Sequence, residues 1–120
     1  MPTILAVDDS PSMRHMVTYA LRRGGFEVIE ACDGVDALAK AQGADVDLIL
    51  SDVNMPQMDG ISLVRELRAL PAYSNIPILM LTTEMSTERK TEGRNAGANG
   101  WIIKPFDPDR LLATIHKVLG

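Results

Sequence analysis

The sequence predicts an α/β domain, a doubly wound parallel sheet of five strands with helices on both faces. Two observations predict it. Five short apolar runs bounded by turn residues recur along the 120 residues, and segments of helical periodicity lie between them. The apolar runs are continuous, as in strands buried on both faces, so the sheet is expected to be parallel. Right-handed crossovers then leave only doubly wound topologies.

The first run, "TILAV" at 3–7, is followed by a helical stripe of Met13, Met16, Val17, Ala20 and Leu21. "FEVIEA" at 26–31 predicts the second strand, and Val35, Leu38 and Ala41 give its helix a weaker stripe. "DLILS" at 47–51 leads to a third helix marked by Ile61, Val64 and Leu67. "PILMLT" at 77–82 is the fourth strand, and "GWIIK" at 100–104 is the fifth. The last helix carries Leu111, Leu112, Ile115, Val118 and Leu119. Ser10-Pro11, Asp33-Gly34, Asp59-Gly60 and Asp107-Pro108 each place a capping side chain at a helix entrance. Gly24-Gly25 and Gly43 read as stops.

The fourth helix, roughly 86–96, differs from the others. Its sequence "STERKTEGRNA" has no large apolar residue and contains Gly93. A helix with so little apolar stripe is held weakly by packing. It reads either as a solvated surface helix or as a movable element or docking surface.

Composition excludes several classes. Hydrophobic residues are 46% and charged residues 23%, an ordinary globular balance, and the length suits one domain. No run approaches the roughly eighteen apolar residues of a membrane span, and Met1-Pro2-Thr3 leads directly into a strand rather than a signal peptide. Cys32 alone permits no internal disulfide, and it reads as a small apolar residue at a strand end. A net charge of −4 with scattered basic residues argues against binding through nucleic-acid phosphates. The expectation is a cytoplasmic protein that engages neither nucleic acid nor membrane.

Ligands of doubly wound sheets sit at the carboxyl ends of the strands, where strand order reverses. Asp8 and Asp9 follow the first apolar run and Asp52 the third. Thr82 and Thr83 end the fourth, and Lys104-Pro105 ends the fifth. With the first and third strands adjacent, three carboxylates would meet in one crevice. Two carboxylates about 5 Å apart repel by about 3 kcal/mol at an effective dielectric near 20. Hard oxygen donors of this charge suit Mg²⁺. Each acid could instead cap the next helix or turn, but Ser10 and Asp59 already supply caps nearby. Lys104 could snorkel to solvent or pair with the acids, and Thr82 is either strand filler or a hydroxyl beside the crevice.

"DDS" at 8–10, "SDVNMPQMDG" at 51–60, "LTTE" at 81–84 and "KPF" at 104–106 together resemble the receiver domains of two-component response regulators. The resemblance spans nearly the whole chain and is closest to single-domain chemotaxis regulators of the CheY type. It implies a flavodoxin-like (βα)5 fold with strand order 2-1-3-4-5. It also implies that residues 1–120 form a single receiver domain, monomeric and without an output domain. Asp52 would accept a phosphoryl group from a histidine kinase. Asp9, Asp52 and the backbone carbonyl of Asn54 would hold Mg²⁺, with Asp8 acting through water. Thr82 and Lys104 would bind the phosphoryl oxygens, with a cis bond between Lys104 and Pro105. Asn54 and Glu84 occupy positions that tune loss of the phosphoryl group.

Trp101 stands where the family often has Tyr or Phe, an aromatic that swings inward on phosphorylation. It reads as that switch or as a half-buried aromatic at the sheet edge. The face around the fourth helix, the fifth strand and the fifth helix would then bind a partner such as a flagellar motor switch protein.

Four other readings compete. A flavin binder would place phosphate on the loop after the first strand, where the acids of "DDSPS" repel it. An aspartyl phosphatase of the haloacid dehalogenase type wants a second acid where this chain has Asn54. Within the receiver family, the chain could be a phosphate sink draining a shared kinase, or a domain excised from a longer regulator. The expectation is a stand-alone regulator, not a turnover enzyme.

Overall fold

The computed structural model describes residues 2–55, 58–83 and 87–119, with only the backbone at Thr87. Its elements alternate as the apolar runs predict: β1 Thr3–Val7, α1 Pro11–Arg23, β2 Glu27–Ala31, α2 Gly34–Gln42, β3 Leu48–Asp52, α3 Gly60–Arg68, β4 Ile78–Thr82, α4 Thr87–Ala96, β5 Gly100–Ile103 and α5 Pro108–Leu119. A short 3-10 turn, Pro71–Tyr73, precedes β4. All strands pair in parallel, in the order β2-β1-β3-β4-β5. Strand order reverses beside β1, so the carboxyl ends of β1 and β3 border the crevice where such sheets bind ligands.

Alternation along each strand divides the core in two. Leu5, Val7, Ile49, Ile78 and Met80 point to one face and pack with Ala37, Ala41, Ile61, Leu63, Val64 and Leu67 of α2 and α3. Ile4, Ala6, Leu48, Leu50, Leu79 and Leu81 point to the other and pack with Val17, Leu21, Leu111 and Ile115 of α1 and α5. β1, β3 and β4 are flanked by strands and covered on both faces, which explains their unbroken apolar sequences.

The predicted caps are present. The side chains of Ser10, Asp33 and Asp59 accept the amides of Met13, Asp36 and Ser62. Asp107 Oδ1 accepts the Asp109 amide at 3.2 Å. Gly24 and Gly43 cap α1 and α2 at their carboxyl ends. Cys32 departs from its expected apolar role: it lies one residue past β2, exposed, with its amide bonded to Asp36 Oδ2 at 3.0 Å. No described helix is long and apolar enough to cross a membrane.

Candidate functional site: an acidic crevice closed by a lysine

The strands bring Asp8, Asp9, Asp52, Thr82 and Lys104 to one end of the sheet. β3 runs fully buried to its last residue and leaves Asp52 7% exposed, while Thr82 ends β4 at 1%. Asp8 is buried beside β1, and its amide continues the pairing with β2 by donating to the Ala31 carbonyl at 3.1 Å. Asp9 is exposed. One carboxylate oxygen from each of Asp8, Asp9 and Asp52 lies within 4.8 Å of the others.

Lys104 spans this cluster. Its Nζ stands 3.1 Å from Asp52 Oδ1 and 3.3 Å from Asp8 Oδ2, with only 12% of the side chain exposed. Snorkelling to solvent is therefore excluded. The Lys104 amide donates to the Thr82 carbonyl at 2.8 Å, which fixes the lysine backbone beside β4. The Lys104–Pro105 bond is cis, as the resemblance implies. Asp8 Oδ1 also accepts the Ser10 amide at 2.9 Å.

Burial raises the Asp52 carboxyl above the ordinary carboxylate range; Lys104 pulls it back, and the charges of Asp8 and Asp9 push it up again. Three carboxylates against one ammonium leave a deficit that a divalent cation would offset, and every donor is a hard oxygen. This donor set fits Mg²⁺.

The turn after Asp52 depends on Gly60. Its amide donates to the Val53 carbonyl at 2.7 Å, and a Cβ at Gly60 would collide with the Asp52 carbonyl oxygen. The sequence marks Asp59-Gly60 as a helix start, but this contact between backbones separated along the chain is invisible there. Asn54 lies exposed two residues past Asp52. Glu84 and the Pro56-Gln57 part of the turn lie outside the described residues.

Trp101 is half-buried on the edge strand β5, against the core face of α3 and α4. A Cβ at Gly93 would run into its indole, so the glycine inside α4 makes room for the ring. Sequence reasoning also missed Arg68. Its guanidinium donates to the carbonyls of Tyr73, Ile76 and Gly97 and to Asn99 Oδ1, at 2.7–3.0 Å. It ties the end of α4 to α3 and the loop before β4. A basic residue in the last turn of a helix carries no distinguishing signal, because most such residues are solvated.

An Asp at the end of β3, two acids after β1, a hydroxyl at the end of β4 and a lysine before a cis-proline stand together. Residues 4–116 match the response regulator receiver domain. The chain belongs to the response regulator receiver family. The receiver is 41% identical to chemotaxis protein CheY1 of Helicobacter pylori strain J99, over 98% of this chain and 96% of that protein. It superposes on the structure of Vibrio cholerae chemotaxis protein CheY4 with a TM-score of 0.96 and 53% identity, covering 98% of each chain. It is also 35% identical to the Synechocystis DNA-binding dual master transcriptional regulator RpaA, where it covers 99% of this chain but 49% of that protein. The protein is thus a CheY-like receiver of two-component signalling, a class that is regulatory rather than a turnover enzyme. Receivers bind Mg²⁺ in an acidic pocket, and Asp8, Asp9 and Asp52 form such a pocket here.

Proposed function

We propose that the protein is a stand-alone switch that a histidine kinase phosphorylates on Asp52 in a Mg²⁺-dependent reaction. The observation that carries this reading is the placement of Lys104, within 3.3 Å of both Asp8 and Asp52 at the buried end of β3. A carboxylate Oδ of Asp52 attacks the phosphorus of the kinase phosphohistidine. The new O–P bond forms as the N–P bond breaks, and the leaving imidazole takes up a proton. Phosphoryl transfer asks mainly for positioning and charge neutralisation. Lys104 pairs with one phosphoryl oxygen and the Thr82 hydroxyl bonds another. Asp9, Asp52 and the Asn54 carbonyl would hold Mg²⁺, with Asp8 acting through water. When bound, the cation offsets the charge gathered on the phosphoryl oxygens. Exposed Asn54, together with Glu84, tunes the lifetime of the acyl phosphate.

The signal passes to the face of α4, β5 and α5, where Trp101 and Pro105 lie, and that face binds a flagellar motor switch protein. The support is the kinship with two proteins named for chemotaxis, CheY1 and CheY4. The protein would work in the cytoplasm as a monomer, with residues 1–120 as one receiver domain. RpaA carries the same module in a protein twice as long, which supports a second reading, a receiver within a larger regulator.

Intact mass after incubation with a small phosphodonor and Mg²⁺ tests the chemistry. The expected result is a gain of one phosphoryl group, abolished by a chelator and in Asp52→Asn. No gain in the parent protein, or an undiminished gain in the variant, overturns the assignment. Phosphorylation-dependent capture of a motor switch protein tests the output; a phosphate sink would bind its kinase alone.

A further inference from the structure

The acidic loop after β1 is gripped by more than its carboxylates. Arg14, in the first turn of α1, donates from Nη1 to the backbone carbonyl of Asp8 at 2.7 Å. Its Nε stands 3.3 Å from Glu30 Oε1 on β2, and the arginine side chain is 19% exposed. Glu30 thereby sets the direction of the guanidinium fork. The Asp8 carbonyl oxygen lies in the plane of the Asp8–Asp9 peptide, so holding it fixes how that peptide is turned. Asp9 depends on this plane. It is exposed, and its carboxylate accepts no hydrogen bond among the described residues, whereas the Asp8 carboxylate is held by Ser10 and Lys104. The backbone therefore sets where the Asp9 Cβ stands, and with it the space the carboxylate can reach.

We propose that Arg14, oriented by Glu30, is a positioning residue for the cation ligand Asp9, acting through the Asp8–Asp9 peptide. This rests on the reading of Asp8, Asp9 and Asp52 as the Mg²⁺ site. Groups that orient metal ligands without touching the metal are worth about 10- to 100-fold in metal affinity. Charge alone predicts the opposite sign: removing a cation near three carboxylates should tighten Mg²⁺ binding. The two accounts of Arg14 thus differ in direction.

Calorimetric titration of Mg²⁺ into the parent protein, Arg14→Ala and Arg14→Lys tests this, alongside melts without Mg²⁺. Arg14→Ala should weaken Mg²⁺ about 10- to 100-fold. Arg14→Lys, which can still reach the carbonyl but cannot also span to Glu30, should recover part of the loss. In phosphorylation assays, Arg14→Ala should need more Mg²⁺ for half-maximal rate yet approach the parent rate at saturating Mg²⁺. An affinity equal to or tighter than the parent in folded Arg14→Ala overturns the proposal, even if its melting temperature falls. Should that variant fail to fold, Arg14→Lys decides, because it keeps the charge: weaker Mg²⁺ binding than the parent supports the role, and parental binding overturns it. Failure of the parent itself to bind Mg²⁺ would overturn the site reading as well, so the two failures are distinguishable.

Discussion

α4 and α5 flank the same edge strand, yet they are attached in different ways. α5 buries Leu111 and Ile115 at 1% and 0% exposure and adds Leu112, Val118 and Leu119 at the margin of the core. Among its described side chains, α4 buries only Gly93 and Ala96, neither of them a large apolar residue. Its fixed points include the fit of Gly93 against the Trp101 indole and the Arg68 clamp on the Gly97 carbonyl. Area removed from water holds α5, whereas shape and hydrogen bonds hold α4. An element with little buried area needs less energy to reseat than one that buries an apolar face.

The largest test of this contrast is on α5. Ile115→Ala should lower stability by about 2–5 kcal/mol, the usual result of truncating a buried Ile. That corresponds to a fall in melting temperature on the order of 10 °C. Trp101 emission in the folded state should not change, because Ile115 packs in the cluster on the opposite face of the sheet. A small loss would mean that α5 is held no better than α4.

Gly93→Ala comes next, and two effects oppose each other in it. Alanine favours the helix by about 1 kcal/mol over glycine. Its Cβ collides with the indole, and overpacking costs about 1–3 kcal/mol. The collision should win by about 1 kcal/mol, or the ring should leave its seat. Either way the sole tryptophan should report it, as a red-shifted and more readily quenched emission. Unchanged emission with raised stability would show that Gly93 is not the seat of the ring.

The sequence made the five strands and most of the site legible for one reason: both are short-range patterns. Asp52 after an apolar run and Lys104 before a proline can be read locally, and the topology then brings them together. Gly93 and Arg68 were opaque because their reasons lie across the fold. A glycine within a polar helix reads as weakness until the indole it faces is known. Arg68 matches four acceptors on the loop before β4 and beyond the end of α4, and nothing adjacent in sequence hints at them. Arg14 was hidden in the same way, since its partners are a backbone carbonyl and a glutamate on another strand.

A smaller and pH-dependent effect is expected at the acidic crevice. The folded protein raises the Asp52 carboxyl, chiefly through burial. The fold therefore favours protonated Asp52, and that contribution is fully present below the ordinary unfolded value of about 3.9. It is lost as pH rises through the raised folded value. At about pH 7 the ionised carboxylate weakens the fold relative to a neutral isostere, so Asp52→Asn should melt higher than the parent. The gap should narrow as pH falls towards about 4. Lys104 keeps Asp8 as a partner in the variant, so the substitution does not strand the ammonium. Saturating Mg²⁺ should raise the melting temperature of the parent more than that of the variant. A gap that widens on acidification would contradict the direction of the shift.

The smallest effect sharpens the contrast by removing a rival explanation for how α4 is held. Arg89 and Glu92 form an i,i+3 pair on α4 with Nη1 and Oε2 3.4 Å apart, and the Glu92 side chain is 48% exposed. Exposed pairs of this kind contribute about 0.3–0.5 kcal/mol and are screened by salt. Glu92→Gln should therefore lower stability by less than about 0.5 kcal/mol, with the difference vanishing near 1 M salt. Trp101 emission should stay as it is. A larger loss, or a shifted indole, would mean that surface charge seats α4, and that the Gly93 contact only follows from where those charges place the helix.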